Sequence, residues 1–106
     1  MNYKLINGVE RHKESPETFE IPTKTEIEML AVDSLVKLGF EEGADEDVVG
    51  ERMWVVITKI IDGKFEGKLD NDPTQVKAIK AGDSVVFAAE NILAIWYGDN
   101  SNSNRG

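Results

Sequence analysis

The sequence has no cysteine, a single histidine and only three prolines in 106 residues. Without thiols there are no disulfides, thiolate nucleophiles or cysteine-bound metals, and the compartment stays open on that count. One histidine, His12, cannot supply the three or four imidazole or thiolate donors of a zinc site. No apolar run approaches the ~18 residues of a membrane span, and Met1-Asn2-Tyr3-Lys4 lacks a signal-peptide pattern, so a cytoplasmic protein is expected. Bases are scarce as well: 12 Lys and Arg against 20 Asp and Glu give a net charge of −8. Duplex nucleic acid needs a basic face to neutralise its phosphates, which excludes it as a partner. No Gly-rich loop carries a Lys-Ser/Thr pair for phosphates, and no Gly-x-Ser-x-Gly elbow presents a nucleophile. The carboxylates fall in turns and on charged faces rather than as a facing catalytic pair. His12 lies in a polar N-terminal segment. The chain is therefore expected to be neither an enzyme nor a carrier of a cofactor or metal.

What is present suits one domain, because two cores in this length would each be too small to stand alone. Hydrophobic residues make up 41%, too many for wholesale disorder. The charge is uneven. Residues 1–53 hold 13 acids and 6 bases, whereas residues 54–106 hold 7 and 6. The densest stretch, Glu41 to Glu51, has six carboxylates and no base. Its spacing lacks the Asp-x-Asp-x-Asp-Gly order of a calcium loop, so it reads as a solvated loop between strands, or as a field for a basic partner.

Along the chain, Asn7-Gly8 between Tyr3–Ile6 and Val9–His12 predicts a two-residue hairpin. Ser15-Pro16 and Ile21-Pro22 punctuate an irregular segment. Thr23-Lys24-Thr25-Glu26 is a capping box opening a short helix to about Leu30. From Leu35 the period becomes two, with Val36, Leu38 and Phe40 on one face. Arg52 to Ile61 is apolar on both faces for most of its length and predicts a central strand covered on two sides. Asp62-Gly63 predicts a hairpin into Lys64–Leu69, where Phe65, Gly67 and Leu69 face inward. Asp70-Asn71-Asp72-Pro73 must turn, Thr74 to Lys80 suggests a helical turn, and Ala81-Gly82-Asp83 turns again into Ser84–Phe87. Ile92 to Tyr97 reads as a closing strand. An echo at an offset of 49 relates Leu30-x-Val32 and Val36-x-Leu38 to Ile79-x-Ala81 and Val85-x-Phe87, suggesting two similar corners of one barrel. The expected fold is mainly β: a small SH3-like barrel of about five or six strands with one short helix, over residues 1–97. Residues 98–106 are expected to form a disordered polar tail.

Arg52-Met53-Trp54-Val55, Gly67-Lys68-Leu69-Asp70-Asn71-Asp72-Pro73 and Ala81-Gly82-Asp83-Ser84-Val85-Val86-Phe87, in this order, resemble the bacterial domain of unknown function 2314. Ser15–Pro22 and Val36-Lys37-Leu38-Gly39-Phe40 are similar to the N-terminal half of its Firmicute-type members. The resemblance runs from about residue 3 to 96. It departs at Asp33-Ser34, where the family usually has Gly-Asp. It implies a small β-rich domain of bacteria and their phages or mobile elements, and brings no established activity or catalytic residues.

The candidate binding residues are Arg52, Trp54, Asp70, Asn71, Asp72, Pro73 and Trp96. The rigid polar turn 70–73 beside aromatic strands offers donors and acceptors, or else its side chains only close the turn. Trp54 and Trp96 either line a groove or belong to the core. Two expectations follow for a non-catalytic binding module. It docks a protein partner through its acidic face, or, as a phage-type antagonist, it sequesters a small nucleotide-like signalling molecule in a pocket. The few cations near the turn (Arg52, Lys68, Lys77) favour the protein partner. Neither a membrane nor an oligomeric state is indicated.

Overall fold

The structure, a computed structural model, describes residues 2–98; all of the expected polar tail beyond Gly98 lies outside the described residues. The strands are β1 (Lys4–Leu5), β2 (Leu35–Glu42), β3 (Val49–Ile61), β4 (Lys64–Leu69), β5 (Ser84–Ala88) and β6 (Ile92–Trp96). All pairings are antiparallel, in the order β1-β2-β3-β4-β5, with β6 also on β2. β6 and β1 share one edge of β2: β6 runs along Leu35 to Leu38, and β1 takes over at Phe40 and Glu41. The connection from β5 to β6 is a single 3₁₀ turn, Ala89–Asn91. Three residues span no more than about 10 Å, so the β5 end of the sheet must curl back toward the β6 edge. The result is a curled half-barrel.

The two-residue period decides what the curl encloses. Val36, Leu38 and Phe40 of β2 and Val55 and Ile57 of β3 have no exposed surface, and Phe65, Leu69, Val85, Phe87 and Ile92 join them. Asp62 and Gly63 both take positive φ, 51° and 77°, the geometry of the tight hairpin turn that suits twisted strands. Gly67 is required by packing, since a Cβ there would lie 2.4 Å from the Val56 carbonyl oxygen.

The echo at offset 49 is realised in hydrogen bonds. In the first corner, Asp33 N donates to Ile57 O, Ile57 N to Ser34 O, and Ser34 N to Ala31 O. In the second, Gly82 N donates to Leu69 O, Leu69 N to Asp83 O, and Asp83 N to Lys80 O. The side chains match as well: Ser34 Oγ accepts from Ala31 N and Asp83 Oδ2 from Lys80 N. Asp33 has φ 81° and Gly82 has φ 90°, as the third residue of a type II turn requires. Asp33-Ser34 thus makes the same corner as Gly82-Asp83.

Four expectations need correction. Asn7-Gly8 is no hairpin; it starts helix α1 (Gly8–Glu14), with the Asn7 side chain accepting from Glu10 N. Asn serves as N-cap as readily as turn residue, and Gly8 is there because a Cβ would press within 2.8 Å of Leu93. The capping box behaves as expected and opens the single turn α2 (Lys24–Glu28). Thr74 to Lys80 forms no helical turn, because the Thr74, Gln75, Val76 and Lys77 amides donate instead to Glu51 and Glu42. The stretch Glu41–Glu51 is not all loop, since Glu41, Glu42, Val49, Gly50 and Glu51 belong to strands and only 43–48 connect them. Finally, β3 is central in the sheet but fully covered on one face and only in part on the other: Met53, Val55 and Ile57 are buried, Trp54 and Val56 half-buried, and 58–61 exposed.

Candidate binding groove

The groove lies on the outer face of the sheet, opposite the core. Inward Val36, Leu38 and Phe40 force Lys37 and Gly39 outward, and the register sets Lys37 beside Trp54 and Ala94, and Gly39 beside Arg52. The N-terminal segment covers part of this face. Ile6 sits on Gly39, whose missing Cβ makes room for it. After α1, the segment 15–23 crosses the sheet as a strap. Its bend is held by Thr18 N and Phe19 N donating to Ser15 O. His12 fixes the strap from below: its Nδ1–H donates to Phe19 O at 2.7 Å. That bond gives the one histidine a structural task.

Between the strap and the end of β6 remains a groove of about 470 Å³. Phe19, Ile21, Pro22, Leu93 and Ala94 supply its apolar surface, and Lys37, Arg52, Glu20 and Glu26 its charges. The Tyr97 hydroxyl, also lining it, donates to Glu26 Oε2 at 2.6 Å, while Glu26 Oε1 accepts from Thr23 N. The Thr23 amide, then the Tyr97 hydroxyl, hold the Glu26 carboxyl below its ordinary value. The Glu26 bond, with burial second, pushes the Tyr97 phenol up to about 12. One carboxylate thus caps α2 and ties it to β6. The Lys37 ammonium lies 4.9 Å from the Trp54 ring centre and the Arg52 guanidinium 5.2 Å from that of Phe19. Among the described residues the single ion pair is Arg11–Glu41, so Lys37 and Arg52 have aromatic neighbours but no carboxylate.

The candidate residues from sequence divide into two groups. Arg52, Trp54 and Trp96 share the outer face: Arg52 lines the groove, Trp54 is half-buried beneath Lys37, and Trp96 is 48% exposed. The turn 70–73 lies by the next strand, where Asp70, Asn71 and Asp72 border a separate hollow with Val56 and Lys68. Asn71 Oδ1 accepts from Trp54 N, and Asp70 N donates to Trp54 O at 2.9 Å. The turn therefore extends the ladder of β3, and Pro73 is half-buried behind it. Sequence reasoning missed Lys37, Phe19, Ile21, Glu26, Leu93 and Tyr97. One signal for Lys37 was present: it is the lone charge in the run Leu35–Phe40, between apolar neighbours.

The acidic stretch is also resolved by geometry. Glu41 pairs with Arg11 at 3.2 Å, and Glu42 accepts from Lys77 N. Glu51 accepts from the amides of Thr74, Gln75 and Val76 and from the Thr74 hydroxyl. Burial pushes the Glu51 carboxyl up, but the three amides and the hydroxyl outweigh it and bring it down to about 2. Asp45, Glu46 and Asp47 remain exposed on a 3₁₀ turn.

Residues 3–106 match the family model described as an uncharacterized protein conserved in bacteria, DUF2314, and the chain belongs to that family. No curated protein and no solved structure matches. Among the described residues no helix is long and apolar enough to cross a membrane, and no group of three or more His, Asp or Glu is placed to hold a metal ion.

Proposed function

We propose that this protein is a non-catalytic module that docks a protein partner, seating an extended segment of it in the outer-face groove. The observation that carries this reading is a preformed groove bordered by uncovered aromatic rings. Tyr97, which lines it, is 57% exposed, and Trp96, two residues along β6 from the lining Ala94, is 48% exposed; such rings supply much of the energy of protein recognition at little entropic cost. The acidic turn 45–47 supplies a local negative field, which acts on approach more than on the bound complex. The strand order β6-β2-β3-β4-β5, with a 3₁₀ turn before the last strand, supports calling the barrel SH3-like. The second expectation, capture of a small nucleotide-like anion, has less behind it. Phosphates are held by beds of backbone amides or by several bases, and the groove offers two cations.

The test places a photo-crosslinking amino acid at Trp96 and, as control, at Lys64 on the β3–β4 hairpin, with irradiation in the native host. Docking predicts a protein adduct at 96 and none at 64. Equal labelling at both positions, or no protein adduct at 96, refutes it.

A further inference from the structure

The groove's charges identify the chemistry of the segment it takes. The chain has a net charge of −8, yet Lys37 and Arg52 line one groove together and neither is in an ion pair among the described residues. They are diagonal neighbours on adjacent strands, since Lys37 faces Trp54 and Arg52 lies two residues before it. Both point outward into the same groove. Diagonal neighbours across a pair lie roughly 7–8 Å apart, a gap one carboxylate bridges with long side chains on either side. Each cation also rests against a ring, Trp54 or Phe19. That stacking holds the side chain in place and leaves its N–H groups free to donate.

The two acids of the groove form no ion pair with these two cations. Both Glu26 oxygens are engaged, one by Thr23 N and the other by Tyr97. Glu20 is exposed on the strap and pairs with neither cation. The rest of the lining is largely apolar, with Ile21, Pro22, Leu93 and Ala94 beside Phe19. We infer that the groove binds an extended peptide segment in which an acidic side chain, flanked by aliphatic residues, lies between Lys37 and Arg52. This rests on the docking function proposed above and goes further by naming the partner's charge.

The experiment displays random twelve-residue peptides to the wild-type protein and to the double variant Lys37→Glu, Arg52→Glu, at physiological salt. The selected peptides are then titrated into the isotopically labelled protein, with groove amide shifts as the readout. Wild type is expected to select peptides rich in Asp or Glu between aliphatic residues. The charge-reversed variant is expected to lose them and select Lys or Arg instead. Single changes Lys37→Gln and Arg52→Gln should each weaken a selected acidic peptide roughly tenfold, as loss of one charge-assisted hydrogen bond does. Peptides that shift groove amides without any acidic preference overturn the inference and leave the docking function standing. Failure of any peptide to shift groove amides overturns both. A third arm titrates inorganic phosphate and benzoate: if either matches the peptides in affinity and in its response to Arg52→Gln, the site is one for small anions and the peptide assignment fails.

Discussion

Replacing Glu51 by glutamine tests how a carboxylate that looks solvated in the sequence holds a loop in place. The Glu51 carboxylate receives four donors, and two of them, the Thr74 amide and hydroxyl, reach the same oxygen. The fall of its pKa from 4.5 to about 2 corresponds to a ceiling of about 3.4 kcal/mol at roughly 1.36 kcal/mol per pH unit. The side chain is only half-buried, so solvent screening brings the usable part to about 1.5–2 kcal/mol. Glutamine keeps one acceptor oxygen and sets an NH₂ group against the other pair of donors. It therefore loses the charge and leaves at least one amide unsatisfied. The expected cost at pH 7 is about 2 kcal/mol, or a Tm lower by roughly 8–16 °C for a domain of this size.

The pH dependence gives the decisive signature. A carboxyl with a depressed folded-state pKa stabilises fully above its unfolded value, and that contribution disappears as pH falls through the folded value. The stability difference between wild type and Glu51→Gln, from urea unfolding followed by tryptophan fluorescence, should be constant from pH 7 to about 5. It should shrink between roughly pH 4.5 and 2 as Glu51 takes up its proton. Other acids titrate in the same window, but they titrate in both proteins and cancel in the difference. A gap below about 0.5 kcal/mol at pH 7, or one unchanged at pH 2.5, refutes the reasoning.

Other substitutions probe the turn, the corners and the outer face. Asn71→Ala removes the acceptor of the Trp54 amide and should cost about 1–2 kcal/mol, while Asn71→Asp retains an acceptor and most of the stability; equal loss in both by urea unfolding counts against a capping role. Asp33→Gly should raise stability by about 0.5–1 kcal/mol and Gly82→Ala lower it by a similar amount, because both positions need φ near 80–90°. A Cβ at 82 has nothing within 4 Å, so a steric account is excluded there, and thermal melts showing the opposite sign at either corner contradict their equivalence. Trp54→Ala should cost about 1–2 kcal/mol, as for a partly buried ring on the outer face under a lysine, and a loss above about 3 kcal/mol in denaturant titration would place the ring in the core.

The barrel was legible because side-chain alternation along a strand is a geometric necessity. Val36, Leu38 and Phe40 had to share a face, and all three are fully buried. Asp62-Gly63 was legible because few pairs accept two positive φ angles in succession. The two corners were visible as an apolar anchor, a turn and an inward strand repeated at one offset. Asn7-Gly8 misled because an N-cap and a tight turn favour the same residues; what separates them is Leu93 against Gly8, a contact across 85 positions of sequence. Glu42 and Glu51 misled for the same kind of reason. A carboxylate bonded to amides 24 or 35 residues away is indistinguishable in sequence from one bonded to water.

The groove was hidden for a further reason. Its parts come from the strap, α2, β2, β3 and β6, and no local motif spans them. What unites them is the outward half of each strand's alternation, the half that a search for the core sets aside. The acidity of the chain then takes on two separable roles. Glu41, Glu42 and Glu51 hold α1 and the 74–77 loop against the sheet, whereas Asp45, Glu46 and Asp47 are left to shape the external field. That field reaches about 8 Å at physiological salt, so in the proposed docking it would act on approach. In the proposed complex Lys37 and Arg52 would act only at contact, where a seated segment displaces water and an opposite charge counts for more. In the binding proposed above, this arrangement would discourage anions in general and reward one that arrives on an aliphatic segment able to fill the groove. Selectivity would come from requiring both at once.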